Sequence, residues 1–252
     1  MKKIEYFSDF LEQFETEELK LYCIDMINLM PDYIFKIPSS TSGKYHNATQ
    51  CQPGGQILHV LMCCRVMNYL LGLEYVQEKT EYPKKRDCLR IAMCLHDACK
   101  CGNGSHTVHE HPMIASEWIR TTSPEHDIKQ GLKDYIGRLV ESHSGQWTTN
   151  KRSSVELPKP ENNEQFLIHL CDYLSSRNDL DMLFPEEMKL DVRRNALPCA
   201  TEYRLPFGKY KGETLSDVIK NDKLYLIWLR DMSEVELTEP LKSLLDEIGD
   251  ET

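Results

Sequence analysis

The chain has 252 residues, of which 40% are hydrophobic and 28% charged, the balance of an ordinary folded protein, and its formal net charge is −10 at pH 7. Such acidity excludes a broad basic surface gripping a nucleic-acid backbone, but is compatible with a small anionic substrate held by a few local cations. No run approaches the roughly 18 uncharged apolar residues of a membrane span, and MKKIEYFSDFLEQF lacks the apolar stretch of a secretion signal, so a cytoplasmic chain with reduced thiols and no membrane partner is expected.

From Tyr6 to Phe35 the pattern is helical, with Phe7, Phe10, Leu11 and Phe14 followed by Leu19, Cys23, Met26 and Met30 at three- and four-residue spacings, until Pro31 and Pro38 close it. Residues 36–56, rich in Ser, Gly and Pro, form a loop. Helices are predicted over 56–73, 87–100, 111–121, 127–147 and 164–177, with a long polar loop over 148–163 and no alternating strand pattern before residue 200. This describes an all-α main domain over 1–198, with the segment 1–35 packed on it. Periodicity lapses over 194–206, and a small α+β module is expected over 201–252, with a turn or short hairpin on two glycines and short helices capped near Thr214 and Asn221.

Ten cysteines in a reducing compartment call for an explanation other than disulfides. Cys63, Cys64, Cys94 and Cys171 lie in apolar helical runs, where a free thiol behaves as a small hydrophobe. Cys99 and Cys101 are one residue apart, not the two to four of structural zinc sites.

The polar residues on the apolar faces are more telling. His59 shares its face with Met62, Cys63, Val66 and Leu70. His96 and Asp97 end the apolar run DCLRIAMCLHD. His111 opens a helix ahead of Pro112, and His143 lies near the end of YIGRLVESHSGQW. Asp172 sits mid-helix among Leu167, Ile168 and Leu174, which is costly unless it is paired or binds a metal. Blander roles exist: a satisfied core histidine for His59, a pair with Arg177 for Asp172, a helix-end cap for His143.

In the order His59, His96-Asp97, His111, His143, Asp172, these residues resemble the HD phosphohydrolase superfamily over roughly residues 36–180. HDACK looks like its HD-x-x-K variant, and HPMIASEWI like its His-Pro segment. GKYHNATQCQPGGQILH, SHSGQW and HLCDYLSSR are similar to a branch that includes 3′-to-5′ exoribonuclease-type and phage domains. PFGKYKG followed by YLIWL is similar to a small module appended to DnaQ-like exonucleases.

The resemblance implies an HD-domain helical bundle in which His59, His96, Asp97 and Asp172 bind one metal and His111 and His143 a second, with Asp97 bridging. It also implies one or two divalent transition-metal ions. Imidazole and carboxylate ligands suit Mn, Fe, Co, Ni or Zn alike. The expected activity is hydrolysis of a phosphoester or phosphoanhydride bond in a nucleotide or short oligonucleotide by metal-activated hydroxide. Asp97 and Lys100 are then the catalytic candidates, with Lys100 stabilising phosphoryl charge, and Lys44, His46 and Lys100 the substrate-contact candidates. His169, one turn before Asp172, is a candidate outer partner or substitute ligand, and His106 and His109 compete with His111 for its position. Lys209 and Lys211 are candidates for touching nucleic-acid phosphate through the C-terminal module, or are solvated lysines on a surface turn. The competing expectation is a non-catalytic nucleic-acid or protein interaction module with a structural metal site. Oligomeric state is not legible here.

Overall fold

The computed structural model describes residues 2–40, 46–80, 82–102, 107–151, 153–177, 203–231, 241–242 and 244–245. Lys44, His106 and the expected boundary at 198–201 lie outside the described residues.

A 3-10 turn over Lys3–Phe7 leads into α1 (Ser8–Leu11), then α2 (Glu17–Leu29). The expected continuous helix to Phe35 is therefore interrupted over 12–16, and a distant side chain explains the break. The carboxylate of Asp87, fully buried, accepts from the backbone N–H of Thr16 at 2.8 Å and from its hydroxyl at 2.7 Å, and also from Glu15 N–H. These bonds satisfy donors at the start of α2 that have no partner within the helix. The apolar phase itself is as expected, with Phe7, Phe10, Leu11, Leu19, Cys23 and Met26 buried.

α3 (Gly55–Leu71) follows the loop. Its first residue must be glycine on steric grounds, because a Cβ on Gly55 would lie 1.8 Å from the carbonyl oxygen of Gln50. α4 (Glu74–Thr80), a polar helix that periodicity does not suggest, precedes α5 (Pro83–Leu95), which opens on a proline in its first turn. α6 (His111–Thr121) and α7 (Gln130–Glu141) pack against each other, and Asn162 caps α8 (Asn163–Ser175) by accepting from Gln165 N–H at 2.9 Å.

α3, α5, α7 and α8 close around one core that buries Ile57, Met62, Leu89, Met93, Ile136 and Ile168. Each such side chain contributes roughly 1.5–3 kcal/mol of transfer free energy. Cys63, Cys64, Cys94 and Cys171 belong to this core as small packing groups, and burial pushes the thiol of Cys88, in the same core, up to about 12. Cys199 lies outside the described residues.

A second cluster, around Leu205, Leu215, Val218 and Leu226, belongs to the C-terminal module. Its helix, α9 (Leu215–Asp231), has a non-helical residue at Asp222, so it is two short helices in series. Thr214 Oγ1 accepts from Asp217 N–H, and Asp222 Oδ1 accepts from Tyr225 N–H, which puts the second cap one residue beyond the expected Asn221. The expected hairpin is reduced to one antiparallel bridge between Arg204 and Thr214. Among the described residues the module contains no strand, so its α+β description is not confirmed. No single helix among the described residues is long and apolar enough to cross a membrane.

Candidate metal centre

Helix ends converge at the middle of the bundle. His59 projects from the second turn of α3, His96 and Asp97 lie just past the C-terminus of α5, and His111 is the first residue of α6. His143 lies two residues beyond α7, and Asp172 is in the last turn of α8. All six residues singled out in the sequence come together there.

The two carboxylates divide the centre. Asp172 Oδ1 is 3.0 Å from His59 Nε2 and 3.8 Å from His96 Nε2, while Asp97 Oδ2 is 3.5 Å from His96 Nε2 and 3.9 Å from His59 Nε2. The other oxygen, Asp97 Oδ1, is 3.0 Å from His111 Nε2 and 3.6 Å from His143 Nε2. Asp97 thus faces two groups of imidazoles, one with each oxygen.

Ring orientation follows from the backbone. His96, His111 and His143 each donate from Nδ1–H to the carbonyl three residues earlier, Met93, Val108 and Val140, at 2.7, 2.7 and 2.9 Å. With Nδ1 carrying the proton, Nε2 of a neutral ring is a lone pair. His143 is held neutral, its pKa lowered to about 3 by burial first and then by His96 and His111, and burial likewise lowers that of His96. Yet Nε2 of His111 and Nε2 of His143 stand 3.1 Å apart, and buried His96 Nε2 and Asp97 Oδ1 have no hydrogen-bond partner of acceptable geometry. Lone pairs that close are repulsive unless a proton or a cation lies between them. The donor set therefore fits a divalent transition metal, with nitrogens prealigned through their outer Nδ1 bonds.

Burial alone would raise the pKa of Asp97, but Lys100, then His96 and His111, bring it well below the usual carboxylate range. Asp172 is lowered too, because His59 and its neighbours outweigh burial. Both are ionised at neutral pH. The Lys100 ammonium is 2.7 Å from Asp97 Oδ2, and this pairing outweighs the burial that would depress its pKa. Gln56 Nε2 donates to the same oxygen at 2.9 Å. Spacing offers a signal for Gln56, which lies three residues before His59 on the same face of α3.

Cys63 was placed by its sequence context among buried hydrophobes. It is buried, but His59, Cys63, His96 and Asp172 all offer donor atoms within 4.8 Å of one another, as do His96, Asp97 and His143. Burial keeps the Cys63 thiol pKa well above its usual value, so the thiol is neutral.

His46 flanks the centre, its ring centroid 5.1 Å from that of His59. Gln50 orients it: the amide nitrogen donates to Ser175 O, leaving Oε1 to accept from His46 Nδ1 at 2.7 Å. Burial lowers the His46 pKa to about 4. His109 instead donates from Nε2 to Thr148 O, so His111 is the one facing Asp97. His169 donates from Nδ1 to the carbonyl of His143 at 2.9 Å and belongs to neither metal-capable group among the described residues. Arg177 stacks over Tyr173 at 4.4 Å, while Asp172 takes His59. Neither Cys99 nor Cys101 belongs to a metal-capable group among the described residues.

A helical domain whose helix ends deliver histidines and two carboxylates to one buried point is, as a class, one that could hold a metal. Residues 59–177, from the first histidine to just past the last aspartate, match the family model for the HD domain, and residues 205–230 match that for Exodeoxyribonuclease X-like C-terminal. The chain carries an HD domain, which implies metal-dependent phosphohydrolase activity in general, followed by an exonuclease-like C-terminal module. No curated protein and no solved structure matches it significantly.

Proposed function

We propose that the chain hydrolyses a phosphoester or phosphoanhydride bond in a nucleotide or short oligonucleotide. The observation that carries this reading is the convergence of backbone-oriented Nε2 lone pairs on the two oxygens of Asp97. In this reading His59, His96, Asp97 and Asp172 hold one ion, and Asp97, His111 and His143 a second. Divalent ions in such a site supply Lewis acidity and lower the pKa of water toward about 7.

The remaining steps belong to side chains of the protein. Lys100, 13% exposed and already against Asp97, carries a positive charge at the mouth of the centre and donates to phosphoryl oxygens as negative charge builds there. His46, neutral and with Nδ1 committed to Gln50, presents a lone-pair Nε2 that accepts from a substrate hydroxyl. The Asp172 side chain is 23% exposed, so the centre is not fully closed to solvent on that side. A structural site is closed by contrast, which weighs against the centre being only a staple between helices.

The test is incubation of the purified protein with Mn²⁺ against dNTPs, cyclic dinucleotides, dinucleoside polyphosphates and short single-stranded RNA or DNA. At least one should be cleaved, and Asp97→Ala should reduce that activity by about a thousandfold or more. If no substrate is cleaved and Asp97→Ala changes stability alone, the hydrolase reading fails.

A further inference from the structure

Beside the centre, the outward face of α8 carries rings at helical spacing: Phe166, His169 and Tyr173, followed by Arg177. Trp147, from the segment after α7, lies across them, stacked on Tyr173 with centroids 5.6 Å apart and planes 19° from parallel, and 5.7 Å from His169. The guanidinium of Arg177 covers Tyr173 at 4.4 Å. Next to this cluster is a cleft of about 440 Å³, walled by Gly145 and Gln146 on one side, Lys159 and Pro160 on another, and the Phe166 to Tyr173 face of α8 as its floor.

Rings that served only to pin the 144–147 segment onto α8 would be buried by the contact. Here Phe166 is 56% exposed and Trp147 51%, an apolar aromatic surface left to water in a chain that is otherwise strongly acidic. Its edges are cationic and polar, with Lys159 and Gln146 exposed beside it. Flat apolar faces, a cation at the rim and an amide able to pair with a ring edge are the chemistry that recognises a nucleobase. The cleft is also joined to the centre: Tyr173 follows Asp172 in sequence, and His169 donates to the carbonyl of His143.

We infer that this cleft is a nucleobase subsite, with the exposed ring of Phe166 as the stacking surface, Tyr173, already stacked on Trp147 and covered by Arg177, as its edge wall, and Lys159 and Gln146 as polar contacts. For the reaction at the neighbouring carboxylates the inference rests on the phosphohydrolase reading, but base binding itself does not. The occupant is the base of a free nucleotide or of a single strand.

The test separates binding from turnover. The full chain, kept in a chelator so that no hydrolysis occurs, is titrated with AMP, with ribose 5-phosphate as the base-free control and with tetraadenylate as the strand, following tryptophan fluorescence. AMP or tetraadenylate should quench the emission and ribose 5-phosphate should not. Phe166→Ala should weaken binding by about tenfold, as expected for loss of one stacking contact, while Phe166→Tyr stays near the parent. Equal affinity for AMP and tetraadenylate assigns the site to free nucleotides, and tetraadenylate binding tenfold tighter assigns it to a single strand. No binding of either ligand, equal binding of ribose 5-phosphate, or unchanged affinity in Phe166→Ala overturns the inference. Base binding that persists while the Mn²⁺ panel shows no cleavage would retain the subsite and reject the hydrolase.

Discussion

His143 is held from both sides of its own residue, its ring by the Val140 carbonyl and its carbonyl by His169. The helix-end cap considered for it is present, since Nδ1 donates to a carbonyl at the end of α7, and Nε2 is left facing Asp97. Gly145 makes the arrangement feasible: its φ is +61°, and a Cβ there would lie 2.2 Å from the His169 ring. Gly145→Ala must therefore strain the backbone and displace the ring, costing on the order of 1–3 kcal/mol. It should also weaken metal binding in the direction of His169→Ala, for which losing an outer partner predicts a roughly 10- to 100-fold loss. Thermal unfolding and Mn²⁺ titration of the two variants check this. Unchanged metal affinity in both would show that His169 does not position His143.

At the scale of elements, the junction of α2 and α5 is a charged knot in which Glu15 faces Arg86 and Arg90 while Asp87 caps α2 and pairs with Arg90. The Arg86 guanidinium, ahead of Arg90, holds the Glu15 carboxyl at about 2, below its reference value of 4.5. A depressed carboxyl contributes stability above the reference value and loses it as pH falls toward about 2. Denaturation midpoints of the parent and of Glu15→Gln should therefore differ by a constant amount from neutral pH down to about 5, and converge as the pH approaches 2. A difference independent of pH would mean that the pair adds nothing to stability. The knot also shows where periodicity stops being informative. The core helices are legible because Leu, Ile and Met recur in phase with a helix, but the start of α2 is fixed by Asp87, 71 residues away, which no local pattern contains. The ends of α5 and α7 fall earlier than expected, at Leu95 and Glu141, because His96 and His143 turn their rings back onto carbonyls instead of continuing the helix. α4, EYVQEKT, has too little apolar pattern to be visible beforehand.

Across the whole molecule, six polar residues from five parts of the chain are legible as one set only through their order and types, since any one of them alone reads as a buried or capping group. What the sequence could not show is that the set comes at a cost when nothing lies between its members: Nε2 of His111 against Nε2 of His143 at 3.1 Å and an unbonded buried His96 Nε2. A ligand that relieves this must bind the folded chain and not the unfolded one, so it stabilises by mass action. At a hundred times its dissociation constant a single bound Mn²⁺ adds about 2.7 kcal/mol. For a chain of this size that raises the melting temperature by roughly 5–10 °C. The rise should reverse with chelator, and Asp97→Ala should abolish it, because Asp97 faces both halves of the centre. Trp118 and Trp147 belong to the bundle and Trp228 to the second module, so a Trp118→Phe, Trp147→Phe double variant reports the C-terminal module alone. If the metal acts on the bundle, melting followed through Trp118 and Trp147 shifts and melting followed through Trp228 does not. An equal shift at both reporters would place the stabilising ion outside the histidine and aspartate centre or show the two modules unfolding as one unit.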